Sequence, residues 1–161
     1  DEIVKESIPS AKELMSQSQK VFENTSQIEV RFVTPTTFKQ DGKYVLFPTV
    51  PMMIGNLVHK WNCYNSTMVI DDEYAVNQMM EGLSINRYKL QSTNYYLKGV
   101  KITGFVGTVT LQSRLPEPLL EVVKLLFYFA NYSGIGIKAT LGMGGAVTAP
   151  VRRRCEPEVN M

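Results

Sequence analysis

From Gln27 onward apolar and polar residues alternate. Ile28, Val30 and Phe32 fall on one side and Glu29 and Arg31 on the other, up to Thr34-Pro35, a period of two that predicts a strand. The segment Phe38 to Pro48 centres on Asp41-Gly42, a dipeptide that tolerates φ > 0 at both central positions of a type I′ turn. It predicts a β-hairpin with Lys39 and Lys43 near its tip. After Pro51 the period lengthens: Met53, Ile54, Leu57, Val58, Trp61 and Tyr64 share one face at helical spacing, with Asn56, His59, Lys60 and Asn62 away from it. At about 100° per residue, His59 stands almost opposite the centre of that stripe and is expected in solvent. Residues 66–82 are mixed, with Asp71-Asp72-Glu73 followed by Tyr74, Val76, Met79 and Met80, and read as a loop with at most one helical turn.

Leu83 to Leu97, carrying Ile85, Tyr88, Leu90, Tyr95 and Tyr96, and then Val100 to Leu111 read as an antiparallel pair turning at Lys98-Gly99. Within the second of these the apolar phase switches from even positions (Val100, Ile102) to odd ones (Phe105, Val109, Leu111), which predicts a bulge near Gly104. Pro116 to Pro118 opens a helix over Leu119 to Tyr132 that is apolar almost all round, hence buried, and that stops at Ser133-Gly134 as glycine-capped helices do. Gly145 to Ala149 is a short last strand.

Ahead of all this, Ser10 and Glu13 form a capping box after Pro9, and Ala11, Leu14, Met15, Ser18 and Phe22 share a helical face. The polarity of residues 1–26 suggests a connector helix docking on a neighbouring domain, a helix of this domain being the alternative. Residues 27–150 then give strand, hairpin, helix, two strands, helix, glycine loop, strand. This is an α+β, ferredoxin-like (RRM-like) βαββαβ order with a hairpin inserted before the first helix. Two helices would cover one sheet face and leave the other open to a partner, as in RNA-binding modules of this topology.

Composition narrows this picture only a little. The chain has 161 residues, 44% hydrophobic and 20% charged, and a net charge of +2, too small to argue for nucleic acid by itself. Arginine is bunched at Arg152-Arg153-Arg154 in a basic tail over residues 151–161, where a solvated tail is the plain reading. Cys63 and Cys155 lie far apart, without the spacing of a disulfide framework or a thiolate metal site, and fit a reducing, cytoplasmic setting. No apolar run approaches the roughly 20 residues that span a bilayer, and no membrane partner is expected. The sequence opens on Asp1 rather than Met, as a piece of a longer protein would. The run Asp71-Asp72-Glu73 lacks the glycine and distal glutamate of a calcium loop, and no metal or cofactor is expected.

The chemistry concentrates in the glycines. Of 11 in the chain, Gly134, Gly136, Gly142, Gly144 and Gly145 crowd together after the buried helix, around the single cation Lys138. No strand feeds this cluster, no helix follows it, Ala139 stands where a dinucleotide fingerprint needs its third glycine, and there is no Gly-Lys-Ser or Gly-Lys-Thr. Nucleotide cofactors are thereby disfavoured. One or two glycines suffice to turn a helix back into a strand; two subclusters flanking a lysine suggest backbone N–H groups and an ammonium offered to phosphate, as in anion-binding nests.

The run Phe129-Ala130-Asn131-Tyr132-Ser133-Gly134-Ile135-Gly136-Ile137-Lys138-Ala139-Thr140-Leu141-Gly142-Met143-Gly144 stands with Arg31 to Thr36, Phe47-Pro48, and Leu57 to Trp61-Asn62 in the same order of elements. Together they resemble the C-terminal domain of the CRISPR-associated repeat-RNA-processing endoribonucleases, members of the RAMP superfamily, over about residues 27–150. The resemblance implies two ferredoxin-like domains in tandem, with repeat RNA bound across them. It also implies metal-independent cleavage by the RNA's own 2′-hydroxyl, assisted by a general base, a general acid and cations. It places the acid–base histidine of many members in the first domain, so this chain corresponds to the second half and residues 1–26 to the connector.

On this reading Gly134, Gly136, Lys138, Gly142, Gly144 and Gly145 form the RNA-facing loop, with Lys39, Lys43, Lys101 and Arg114 as further backbone contacts. His59, the only histidine, is the one candidate acid–base residue, and Tyr88, Tyr95 and Tyr96 are stacking platforms or sheet packing. CRISPR repeat RNA is the expected partner, with docking on an upstream ferredoxin-like domain and homodimerisation left open. The competing readings are a non-catalytic RAMP subunit holding guide RNA in a surveillance complex, and a metabolic enzyme of the same topology using the loop for a small anion.

Overall fold

The computed structural model describes residues 8–151. Strand β1 (Gln27–Thr36) leads through the hairpin β2 (Phe38–Gln40) and β3 (Lys43–Val45) to helix α2 (Val50–Tyr64), with helix α1 (Ala11–Val21) ahead of β1. Helix α3 (Glu73–Glu81), strands β4 (Leu83–Leu97) and β5 (Val100–Ser113), helix α4 (Glu117–Ser133), a 3₁₀ turn (Ala139–Leu141) and strand β6 (Ala146–Pro150) complete the order. The main sheet runs β4-β5-β1-β6, every neighbour antiparallel. That is the strand arrangement of a ferredoxin-like fold, in which each βαβ crossover skips the strand lying between its two strands.

One face of the sheet is apolar because the strand alternation predicted it. Ile28, Val30 and Phe32 of β1 sit opposite Leu111, Val109 and Gly107 of β5, and all but the glycine are buried side chains of the core. The helices close over them. Trp61 of α2 meets Phe129 of α4 edge to face at 5.1 Å, and Phe32 meets Phe105 in the same way at 5.0 Å. Helix α4 buries Leu120, Val123, Leu126, Phe127, Phe129 and Ala130 on several sides at once, as its near-continuous apolar sequence requires.

Both two-residue turns take the conformation their sequences dictate, with φ of 51° and 78° at Asp41-Gly42 and 48° and 78° at Lys98-Gly99. The β4–β5 pair is longer than the sheet it belongs to. Its pairing with β1 ends at Phe105 opposite Thr36, and residues beyond that point continue as a two-stranded arm to the Lys98-Gly99 tip.

Two expectations are corrected, and helix α1 takes the second of the two places left open to it. Residues 73–81 are a helix of 9 residues rather than a single turn: Asp72 caps it by accepting from the Tyr74 and Ala75 N–H groups, and Val76, Met79 and Met80 press its inner face on the core. The irregularity expected near Gly104 lies in the partner strand, where β1 bulges between Phe32 and Thr36, and a second shift falls in β4 between Ile85 and Arg87. Helix α1 packs on α4 of the same body: Leu14 and Phe22 are fully buried in the common core and Tyr128 donates to Gln17 Oε1 at 2.8 Å. A connector helix laid on some other domain would leave that apolar face outside this core. The arginine run 152–154 and Cys155 lie outside the described residues.

Candidate nucleic-acid interface

Helix α4 ends at Gly134, whose φ of 70° turns the chain out of the helix while its N–H still donates to Ala130 O. The chain then forms a loop with an anchored inner half and a projecting outer half. In the inner half, Ile135 N–H donates to Gly144 O (2.8 Å), Gly144 N–H to Pro35 O (2.9 Å), Ile137 N–H to Thr37 O (3.0 Å) and Gly145 N–H to Thr34 Oγ1 (2.7 Å). Asn56 of α2 grips Gly136 from the other side, accepting its N–H at 2.9 Å and donating Nδ2–H to its carbonyl at 3.4 Å. The outer half, Lys138 to Gly142, closes on itself through the 3₁₀ turn, with Lys138 at φ 59° and Gly142 at φ 93°.

This wiring changes what the glycines do. The N–H groups of Gly134, Gly136, Gly142, Gly144 and Gly145 all have partners within the fold, so they do not form the open nest that the cluster suggested. The glycines serve close approach instead. A Cβ on Gly144 would lie 2.3 Å from Ile135 O, one on Gly136 2.6 Å from Thr37 O, and one on Gly134 2.7 Å from Gly144 O. The two sides of the loop are thereby drawn together, and Gly136 is drawn onto Thr37 just past the end of β1. Among the described residues, the N–H groups of Lys138 and Ala139 have no partner within the protein, and they stand at the projecting turn together with the Lys138 side chain.

Three of the predicted cations, Lys39, Lys43 and Lys101, lie on the hairpin and the arm that adjoin the loop. Lys39 lies just beyond Thr37, the residue on which Ile137 rests, and its ammonium sits 5.8 Å over the Tyr44 ring; Lys43 pairs across the hairpin with Gln40. Lys101 sits on the β4–β5 arm opposite Tyr96, one register position from Tyr95 and so on the arm's other face; the Tyr95 hydroxyl donates to Leu141 O at 2.5 Å. Arg114 does not belong. It follows β5 at the opposite end of the sheet, its N–H on Gly82 O, about 30 Å of strand away from the Phe105–Thr36 pair where the loop begins.

His59 is exposed as expected, yet it stands on the flank of α2 that carries Asn56 and Lys60. Lys60 donates to Ser133 O at 3.3 Å, crossing to the C-terminal end of α4, and burial pushes its ammonium down to about 8. Around His59 itself, Cys63 Sγ lies 3.7 Å from Nε2. That contact supplies no carboxylate to orient the ring.

The aromatic candidates divide. Tyr88 and Tyr96 are largely exposed, Tyr88 edge-on to Phe47 at 5.2 Å, whereas the Tyr95 hydroxyl is engaged by the loop.

The sheet face turned away from the helices, expected to be open to a partner, carries cations that the sequence did not single out. Register places Lys89, Thr108, Arg31 and Val147 side by side across all four strands, with Arg87, Thr110, Glu29 and Ala149 in the next row. Arg31, Arg87 and Lys89 are all exposed, giving the open face three cations and one acid in its centre. The signal was present in the polar half of each alternation. Beside this face, a groove of about 380 Å³ runs between β6 and the glycine loop, lined by Val33, Val147, Tyr132, Ala139 and Met143 among others.

Known proteins match both the sequence and the fold. The family model for the CRISPR-associated endoribonuclease Cas6 matches residues 30–146. The CRISPR-associated endoribonuclease Cas6 of Streptococcus thermophilus is 32% identical over 123 residues, 76% of this chain and 51% of that protein. That of Mycobacterium tuberculosis is 27% identical over 153 residues, 89% of this chain and 47% of that protein. The chain spans about half the length of the curated relatives it matches. Among solved structures, a Cas6 product complex superposes with a TM-score of 0.73 at 26% identity, covering 89% of this chain and 56% of the other. Thermus thermophilus Cas6 also gives 0.73, at 24% identity over 87% of this chain and 58% of that one.

Proposed function

The chain belongs to the CRISPR-associated endoribonuclease Cas6 family, and from that premise we propose that it is the RNA-gripping C-terminal half of a two-domain enzyme that processes precursor CRISPR RNA at its repeats. The observation that carries this reading is the glycine loop. It is drawn onto Thr37 just past the end of β1 and projects Lys138 beside an arm and a hairpin that bring Lys101, Lys39 and Lys43 to the same end of the molecule. Lysines on separate elements around a bare backbone surface suit an irregular, single-stranded phosphate chain better than a regular duplex groove.

The reaction is transesterification without a metal. The 2′-hydroxyl loses its proton to a general base and its oxygen bonds to the adjacent phosphorus. The P–O5′ bond breaks, and the departing 5′-oxygen takes a proton from a general acid, leaving a 2′,3′-cyclic phosphate. This domain's part is electrostatic: its lysines hold the repeat and offset charge at the phosphate. His59, exposed and without a carboxylate to orient its ring, is assigned no acid–base role; those groups belong to a preceding ferredoxin-like domain.

The test is to mix the full-length gene product, and separately this 161-residue chain, with labelled cognate repeat RNA in EDTA, and to read cleavage and binding on one gel. Cleavage by the long form with binding alone by the short one is expected. Absence of both from both forms overturns the assignment. RNA held by the full-length protein without any cleavage identifies it instead as a scaffold that retains guide RNA.

A further inference from the structure

We infer that Tyr95 is a positioning residue for the RNA-facing turn: its hydroxyl latches the projecting half of the glycine loop to the β4–β5 arm. The inference rests on the proposal that this turn faces RNA, and deepens it by naming what sets the turn's position.

Two halves of one loop are held in different ways. The inner half is tied to β1, to Thr37, to α2 through Asn56 and to α4. In the outer half, Leu141 N–H and Met143 N–H both donate to Lys138 O and Gly142 N–H donates to Ala139 O, bonds internal to the turn that do not fix it to anything. Among the described residues, the hydrogen bond that joins this turn to the rest of the molecule is the one from Tyr95 Oη to Leu141 O, at 2.5 Å.

The neighbouring glycine fits the same device. A Cβ on Gly142 would lie 2.8 Å from Tyr95 Oη, so the hydroxyl occupies the space that a side chain there would need. Tyr95 is itself set by the sheet: midway along the arm it pairs with Ile102, which is buried, and Lys101 comes at the next register position. The arm that carries Lys101 and the turn that carries Lys138 are thus coupled through one phenol. Displacing the turn from the arm breaks the latch and shifts the backbone that carries Lys138 relative to the one that carries Lys101.

The discriminating variant is Tyr95→Phe, which keeps the ring and removes the donor. The first readout is amide hydrogen exchange on the whole chain without RNA. Exchange at residues 139–143 should accelerate about two- to tenfold, the range that one net hydrogen bond supplies, while amides 134–137 and 144–145 keep their wild-type rates. The second readout is binding of labelled single-stranded repeat RNA across a salt series. Affinity should fall by a similar factor with the salt slope unchanged, because no cation has been removed.

Gly142→Ala, which pushes on the same hydroxyl and also strains a backbone at φ 93°, should produce both effects at least as strongly. The double variant should fall short of the product of the two single effects, since they act on one contact. Unchanged exchange at 139–143 in Tyr95→Phe overturns the latch whatever the RNA does. Faster exchange with unchanged RNA affinity overturns the positioning role. A wild-type chain that shows the exchange pattern but binds no repeat RNA overturns the functional reading on which that role depends.

Discussion

Gly144→Ala is the sharpest test of the claim that the glycines act by close approach. Gly144 has φ of 76°, and an added Cβ would fall 2.3 Å from the carbonyl oxygen of Ile135. The substitution carries two penalties. The left-handed conformation costs an L-residue about 1–2 kcal/mol. The overlap, about 1 Å inside van der Waals contact, forces the strands of the loop apart and weakens Ile135 N–H to Gly144 O and Gly144 N–H to Pro35 O, at about 1–3 kcal/mol for each group left buried and unpaired.

The expected loss is therefore about 3–8 kcal/mol, a large share of a typical domain's stability. Gly42→Ala is the matched control: its φ is 78° and a Cβ there meets nothing within 4 Å. It carries the same conformational strain and the same unfolded-state gain from replacing glycine, so the difference between the two variants isolates the close approach. Urea unfolding reads it directly. The close approach alone leaves a difference of about 2–6 kcal/mol, so with m of about 2 kcal/mol/M the Gly144→Ala midpoint should fall about 1–3 M below that of Gly42→Ala. Equal midpoints would refute the reasoning and return the glycines to an open, ligand-facing role.

Replacing Lys138 by Ala should weaken binding of single-stranded repeat RNA and reduce the salt slope by about 0.7, the share of a single neutralised phosphate; an unchanged slope removes Lys138 from the interface. Arg114→Ala, at the far end of the sheet, should leave both affinity and slope at wild-type values, and a slope change there would show that RNA runs the length of the sheet. The Lys60 ammonium titrates near 8 in the folded protein against 10.5 for a free lysine. Folding therefore disfavours its charged form, and stability rises as pH climbs from about 8 towards 10.5. The rise should be on the order of 1 kcal/mol once solvent screening of this half-exposed group is allowed for, and Lys60→Met should abolish it in urea midpoints taken between pH 7.5 and 10. The window stops at 10 because Tyr128, raised to about 12 by burial and then by the neighbouring Tyr132 hydroxyl, adds the opposite slope above it.

The elements that were legible are those whose signal is local. The alternation of β1, the two positive-φ turns and the all-round apolar α4 each carry their period or their dipeptide in the sequence itself. Helix α3 was missed because only one side of it is apolar, over two turns, and because its cap, Asp72, is camouflaged in a run of three acids. The bulge was sensed in β5, where the apolar phase breaks, but the extra residues sit in β1, and a phase break in one strand cannot say which partner accommodates it.

The glycine loop divides along the same line. That it exists, and that Lys138 stands at its centre, is local information. Which donors remain available to a ligand depends on Asn56, Thr34, Pro35 and Thr37, brought to it from 80 to 111 residues away in the case of the two side chains. A glycine cluster written in sequence is therefore ambiguous between a surface that binds anions through its N–H groups and one that packs tightly against its own fold. Here the partners already in place select the second, and whatever grip the loop has on RNA must come from Lys138, from the exposed turn and from the residue that holds that turn in place.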